Sequence, residues 1–185
     1  MHSLRSHIPI RLDACKAALG QLPRNAIVRF CELEKIDYLK GNMMSLKTQS
    51  LVVLVLQVDA DRNIRHSRVL ASNIFKAHPS YIRPDFVDAH HIVGRLNGDA
   101  AVARAYLFSW GIGINDADNG VFLPRYATTN IASMPNAQYH QGMHTFAYYL
   151  NVTLRLEAVR NEPVLSARLA LREIKNELIA GTFGI

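Results

Sequence analysis

The 185-residue sequence predicts an α+β fold, with short strands set among helices, and three features carry that expectation. Past residue 80, "FVDAHHIV" (86–93) and "NGVFLP" (119–124) are strand-length apolar runs, the second closed by Pro124. Around them lie longer stretches whose apolar residues recur at threes and fours, the helical period. Between the halves, "KAHPSYIRPDF" (76–86) places two prolines and an aromatic cluster, a break in regular structure that reads as a boundary.

Taken in order, "RLDACKAALGQL" (11–22) predicts a helix and "SLVVLVLQVDADRN" (50–63) a buried strand running into a turn. "HSRVLASNIFKAH" (66–78) predicts a second helix, which makes the N-terminal region mixed α/β. Downstream, the strand over 86–93 is followed by "NGDAAVARAYLFSWGI" (97–112), a turn and helix, and then by the strand over 119–124. The pattern is helical from Asn136 to about Arg160. Pro163 interrupts it before a last helix, "VLSARLALREIKNELIAG" (164–181), which ends at Gly181. Leaving aside the intervening helix, the downstream order is strand, strand, helix.

A hydrophobic content of 49% is enough to bury a core at this length. The longest apolar run, "LVVLVLQV" (51–58), is strand-sized, so no membrane insertion is expected. The basic N-terminus lacks an apolar h-region and a small-residue cleavage site. That predicts a cytoplasmic protein as synthesised, without a signal peptide, and leaves open a signal-independent secretion system. Cys15 and Cys31 form no CxxC or CxxH pattern and read as reduced, structural thiols.

The net charge of +6 is unevenly placed. Residues 1–80 hold 12 Lys/Arg against 6 Asp/Glu, residues 81–150 hold 4 against 5, and residues 151–185 hold 5 against 4. A basic surplus beside a neutral segment fits a region that grips a polyanion next to a reactive site, although the same charge also serves as a solvated surface.

Four of the eight histidines, His90, His91, His140 and His144, lie in the downstream half. Successive side chains of a strand point to opposite faces, so His90 and His91 in "VDAHHIVG" (87–94) cannot share one environment. In "YHQGMH" (139–144) two histidines stand four apart, which on a helix puts both on one face within reach of one ion. Gly142 between them disfavours a helix interior and moves His140 toward the helix mouth. His2, His7, His66 and His78 read as ordinary hydrogen-bonded or surface histidines.

The run "DAHHIVGRLNGDAAVARAYLFSWGIGINDADNGVFLP" (88–124), followed by "HQGMHTFAYY" (140–149), resembles the AHH nucleases, a branch of the HNH endonuclease superfamily. The resemblance extends from about Asn73 to Leu150, with four separated elements agreeing in order: "AHH", "GIGINDADNGVFLP", "HQGMH" and the pair Tyr148 and Tyr149. It implies a ββα-metal (HNH) finger embedded in a mainly helical domain over 73–185, with a basic N-terminal region of unknown role over 1–72. It also implies that His90 is a metal ligand and His91 the general base that activates water. His140 and His144 become the remaining ligands, and Asn119 the residue that ties the finger's loop and keeps the base-bearing strand in register. Asn-Gly at 119–120 is equally a turn signal. Gly94 stands where many relatives have proline.

These residue types suit phosphodiester hydrolysis. A histidine near neutrality can take a proton from water, and an ion on neutral imidazoles can polarise a phosphate oxygen and stabilise the leaving 3′-oxygen. Asp88 is a candidate to orient an imidazole from behind, and Arg95 and Arg125, just after the two strands, are candidates to steady the scissile phosphate. Imidazoles favour Zn or Ni by affinity, whereas Mg or Mn serve by abundance, so the cofactor is a divalent ion of open identity.

By resemblance the substrate is DNA and the protein an antibacterial toxin with a small acidic immunity protein as partner. RNA, with His91 deprotonating a 2′-hydroxyl, is the alternative within the fold. A non-catalytic, zinc-stapled nucleic-acid-binding domain is the alternative outside it, although structural zinc sites usually have four ligands and favour cysteine.

Overall fold

A two-stranded ribbon alone is marginal in water, and here two helices and a bracing loop hold it in place. The computed structural model describes residues 46–184. The predicted helix over 11–22 and both cysteines lie outside these residues. One compact unit runs Leu56–Ile185, so residues 56–72 pack with the downstream elements.

The ribbon pairs β1 (Val87–His91) with β2 (Gly120–Pro124), antiparallel, with His91 opposite Gly120 and Val87 opposite Pro124. Both strands are where the sequence predicts them, β1 being shorter at each end. Val87 and Ala89 face one way and join Phe122, Leu70 and Ile74 in a core cluster. Leu70 and Ile74 belong to α2 (His66–Ala77), which buries His66, Leu70 and Ile74 at intervals of four, the stripe of an amphipathic helix. A Cβ on Gly120 would stand 2.6 Å from Leu70 Cδ1 and 2.9 Å from Ile74 Cδ1, so glycine is what lets α2 lie this close to the ribbon.

The segment between the strands carries a 3₁₀ turn, Gly98–Ala100, capped by Asn97, then α3 (Ala101–Ser109), which buries Ala103, Leu107 and Phe108, and a second 3₁₀ turn, Ala117–Asn119, that leads into β2. After β2 the chain reaches a third 3₁₀ turn, His140–Met143, then α4 (Phe146–Glu157), and α5 (Val164–Ala180) after Pro163. Gly181 ends α5 with φ +74°, the left-handed conformation that glycine adopts freely. Arg168 of α5 ion-pairs with Asp116 (3.0 Å) and Asp118 (2.6 Å), and Arg172 pairs with Asp118 (2.9 Å), which pins the loop entering β2 onto that helix.

Five α-helices and one two-stranded antiparallel sheet among the described residues make the fold α+β, consistent with an HNH-type nuclease fold. Two expectations are corrected. Residues 50–63, predicted as a strand and turn, fall largely within a helix, α1 (Leu46–Asp61). An eight-residue apolar run has no period that separates strand from helix. A helix satisfies its own backbone groups, whereas a strand here would need a partner strand. The predicted helix from Asn136 begins instead at Phe146, where Thr145 caps it by accepting from Tyr148 N. Among the described residues no helix is long and apolar enough to cross a membrane.

Candidate active site

β1 delivers its two histidines to opposite faces. His91 follows Val87 and Ala89 toward α2, whereas His90 turns with Asp88 to the other face, and it is 1% exposed. At the end of the strand both reach the same cleft, of about 330 Å³, which is also lined by His140, His144, Arg95 and Tyr149.

The hydrogen bonds around His90 assign its proton. Its Nε2 lies 2.9 Å from the Tyr148 hydroxyl, and that hydroxyl lies 3.0 Å from the Ile92 carbonyl. A carbonyl can only accept, and the hydroxyl has one proton to give, so Tyr148 donates to Ile92 and His90 Nε2–H donates to Tyr148. His90 Nδ1 therefore carries a bare lone pair, and it is buried without a hydrogen-bond partner among the described residues. Leaving a buried acceptor unmet costs about 1–3 kcal/mol, a cost that a bound cation would remove.

The two other imidazoles complete the cluster. Ring centroids of His90 and His140 are 5.2 Å apart, those of His90 and His144 5.6 Å, and those of His140 and His144 5.3 Å. One nitrogen from each of the three lies within 4.8 Å of the others. His140 Nδ1 faces the Asp88 carboxylate at 3.4 Å, and His144 Nδ1 is 2.8 Å from the Tyr149 hydroxyl. Each ring is thus held from behind through one nitrogen and keeps the other for a ligand, the usual support of metal-binding histidines. The spacing of four brings His140 and His144 together as expected, but through a 3₁₀ turn and the residue after it, not along a helix face.

Electrostatics favour the ligand forms. Burial, and then the charges of His140, His144 and His91, hold the His90 imidazolium well below its ordinary pKa, and burial followed by His140 lowers that of His144. Neutral imidazoles are the form that binds a cation. Burial alone would raise the Asp88 carboxyl, but hydrogen bonds from Arg125 and His140 outweigh it and keep the group below the usual carboxylate range.

His91 donates through Nε2 to Asn115 Oδ1 at 3.0 Å. Burial pushes its pKa down to about 4, against the Asn115 hydrogen bond, with His66, Arg95 and His140 adding to the fall. The ring is neutral at pH 7, and with Nε2 engaged its Nδ1 is the nitrogen left for chemistry.

The remaining candidates divide. Arg95 lines the cleft, donating to the Ala60 carbonyl at 2.9 Å. Arg125 is not in the cleft lining. Its guanidinium is bound to Asp88 by Nη2–Oδ1 at 2.9 Å and Nε–Oδ2 at 3.1 Å, so it steadies the carboxylate behind His140. Asn119, 0% exposed, accepts from Val93 N at 2.8 Å and donates to the Ile114 carbonyl at 2.8 Å. It binds the exit of β1 to the loop before β2 and is not among the residues that line the cleft. Gly94 has a steric reason, because a Cβ there would stand 2.8 Å from Tyr149 Cε1.

Asp88 stands behind His140, the kind of support its place in the sequence suggests. The hydroxyls of Tyr148 and Tyr149 and the amide of Asn115 join the site without having been expected there. The signal for Tyr148 was its place on the apolar stripe of a helix, since a buried tyrosine hydroxyl needs a partner.

The family model for AHH, described as a nuclease family of the HNH/ENDO VII superfamily with conserved AHH, matches residues 74–178. No curated protein and no solved structure matches the chain.

Proposed function

The chain belongs to the AHH family of nucleases in the HNH/ENDO VII superfamily, and from that premise we propose that it is a metal-dependent endonuclease hydrolysing phosphodiester bonds in DNA. What supports this reading above all is the cleft that joins His91, with Nδ1 left for a proton, to three imidazoles within 4.8 Å of one another. His90 through Nδ1, and His140 and His144 through Nε2, are the ligands. When bound there, a divalent ion supplies Lewis-acid stabilisation of charge at the phosphate and the leaving 3′-oxygen.

The chain's own groups do the rest. His91 Nδ1 takes a proton from the attacking water, and its neutral ring is in the accepting form. Arg95, at the wall of the cleft, offers positive charge to the scissile phosphate. Arg125 works through Asp88 on His140. Among the described residues three donors come together, and three suit a catalytic site, which keeps open positions, better than a structural zinc site closed by four. Water as nucleophile needs no 2′-hydroxyl, so DNA is allowed.

The basic N-terminal region grips the duplex in this reading. The +6 charge would also match a small acidic immunity protein if the chain is a toxin made in the cytoplasm and delivered without a signal peptide.

The test is incubation of the purified protein with supercoiled plasmid and with RNA, with and without EDTA. Nicked and linear plasmid bearing 5′-phosphate ends, abolished by EDTA and restored by excess divalent ion, is expected. Cleavage of RNA alone would overturn the DNA assignment, and undiminished cleavage in EDTA would overturn the metal.

A further inference from the structure

Behind His91, on the side away from the imidazole cluster, runs a chain of buried polar groups that the nuclease reading does not use. His91 Nε2 lies 3.0 Å from Asn115 Oδ1. The Asn115 amide in turn lies against His66 Nδ1, 2.9 Å from Nδ2 and 3.2 Å from Oδ1. His66 Nε2 lies 2.9 Å from the Arg62 carbonyl oxygen. Asn115 and His66 are 6% and 5% exposed, so water cannot easily rearrange this chain.

Its direction can be read from the far end. The Arg62 carbonyl only accepts, so a neutral His66 must carry its proton on Nε2, and His66 Nδ1 is left as an acceptor. The group facing that acceptor must be the Asn115 amide Nδ2–H, which agrees with its shorter distance. The amide oxygen is then turned to His91 and accepts from Nε2–H. Each link allows one polarity, and the last leaves His91 Nδ1 without a proton. Asn115 itself is fixed independently of its side chain, because Asn73 Nδ2 donates to its carbonyl oxygen at 2.8 Å.

We propose that Asn115 and His66 are positioning residues for the nuclease reaction, a one-way hydrogen-bond relay that fixes the tautomer and orientation of His91 and keeps Nδ1 bare for the attacking water. The proposal rests on His91 being the general base. It reaches beyond the family match, since His66 on α2 lies before residue 74, where that match begins. A satisfied core histidine in this place would need no particular neighbour. Here the asparagine amide stands between two imidazoles and distinguishes donor from acceptor at each side.

The test uses the full chain and four variants, Asn115→Leu, Asn115→Asp, His66→Phe and His91→Ala, with kcat and KM measured on duplex DNA and urea midpoints recorded alongside. Asn115→Leu, which keeps the shape but removes the acceptor, should lower kcat by about 10–100-fold, the usual effect of losing an orienting partner, with KM within about twofold. His66→Phe should lower kcat less, because the amide is then free to turn either way. Asn115→Asp, whose carboxylate still accepts from Nε2–H, should recover most of the activity that leucine loses.

Long-range ¹H–¹⁵N spectra of labelled protein read the tautomer without reference to activity. His91 should carry its proton on Nε2 in the native chain, and Asn115→Leu should lose that single tautomer. If His91→Ala is inactive while Asn115→Leu and His66→Phe keep native kcat and the native tautomer, the relay is wrong and the base stands. If His91→Ala keeps native kcat, the base assignment fails, and the proposal fails with it. A variant that proves unstable leaves the native tautomer as the deciding measurement, and a proton on His91 Nδ1 would overturn the relay.

Discussion

Replacing Tyr148 by Phe removes one oxygen from a fully buried side chain and tests how His90 is prepared to bind a cation. The hydroxyl receives His90 Nε2–H and donates to the Ile92 carbonyl. Its loss leaves a buried donor and a buried acceptor without this partner, at about 1–3 kcal/mol each. Tyr148→Phe should therefore lower stability in EDTA by about 2–6 kcal/mol. The second effect is more diagnostic. Without the bond that fixes its tautomer, His90 can carry its proton on Nδ1, and losing such a support typically weakens metal binding 10–100-fold. With Zn²⁺ at 100 times the native dissociation constant, the native protein gains about 2.7 kcal/mol from the ion. A variant bound 100-fold more weakly then sits at its own dissociation constant and gains about 0.4 kcal/mol. Urea unfolding of both proteins, in EDTA and at that one Zn²⁺ concentration, gives the two differences directly. An equal Zn²⁺-dependent gain in both would refute the reasoning that Tyr148 holds His90 Nδ1 open for a metal.

His91→Ala should lower cleavage by at least about 100-fold, the usual scale of general base catalysis, while the Zn²⁺-dependent gain in urea midpoint stays native. Loss of that gain would place His91 among the ligands instead. Burial raises the Asp118 carboxyl, but bonds from Arg172 and Arg168 overcome it and leave the group below its ordinary pKa. Its contribution is thus complete above the unfolded pKa and is lost as pH falls through the folded one. Asp118→Asn should cost about 2 kcal/mol at pH 7, in a gap that closes in urea titrations below about pH 4; a gap independent of pH would count against the ion pairs. Deleting residues 1–45 should weaken DNA binding and flatten its salt dependence by about 0.9 in log–log slope for each phosphate no longer neutralised, and an unchanged slope would assign that segment another role.

The parts of the site that the sequence made legible are those set by the chain's own period. His90 and His91 had to part because side chains alternate along any strand, whatever packs around it. β2 could be placed because "NGVFLP" (119–124) is bounded by a turn signal and a proline. What stayed hidden depended on distant partners. Tyr148 meets His90 across 58 residues, and nothing near "FAYYL" (146–150) says which group its hydroxyl will find. Arg125 read as a phosphate contact because its position after β2 was visible, whereas its Asp88 partner, 37 residues earlier, was not. The helix over Leu46–Asp61 misled because a valine- and leucine-rich run satisfies the composition of a strand, and its short apolar run carries no period that separates the two. His66 is the buried, hydrogen-bonded histidine that the sequence suggests, but the amide that it faces, 49 residues later, was not visible there.

Placing the proposed ligand and the proposed base on consecutive residues also determines where the chain can change length. An insertion or deletion within Val87–His91 would turn every later side chain of that strand to the other face, exchanging the environments of His90 and His91 and disabling both together. Between the strands the tolerance is greater. The turn around Leu96 and Gly98 is exposed, and both ends of the connection are fastened to Asn119, through Val93 on one side and Ile114 on the other. Added residues at Gly98, which has open space around it, can loop outward without passing a frame shift to either strand. The five residues of β1 form a block that can be copied or lost only whole.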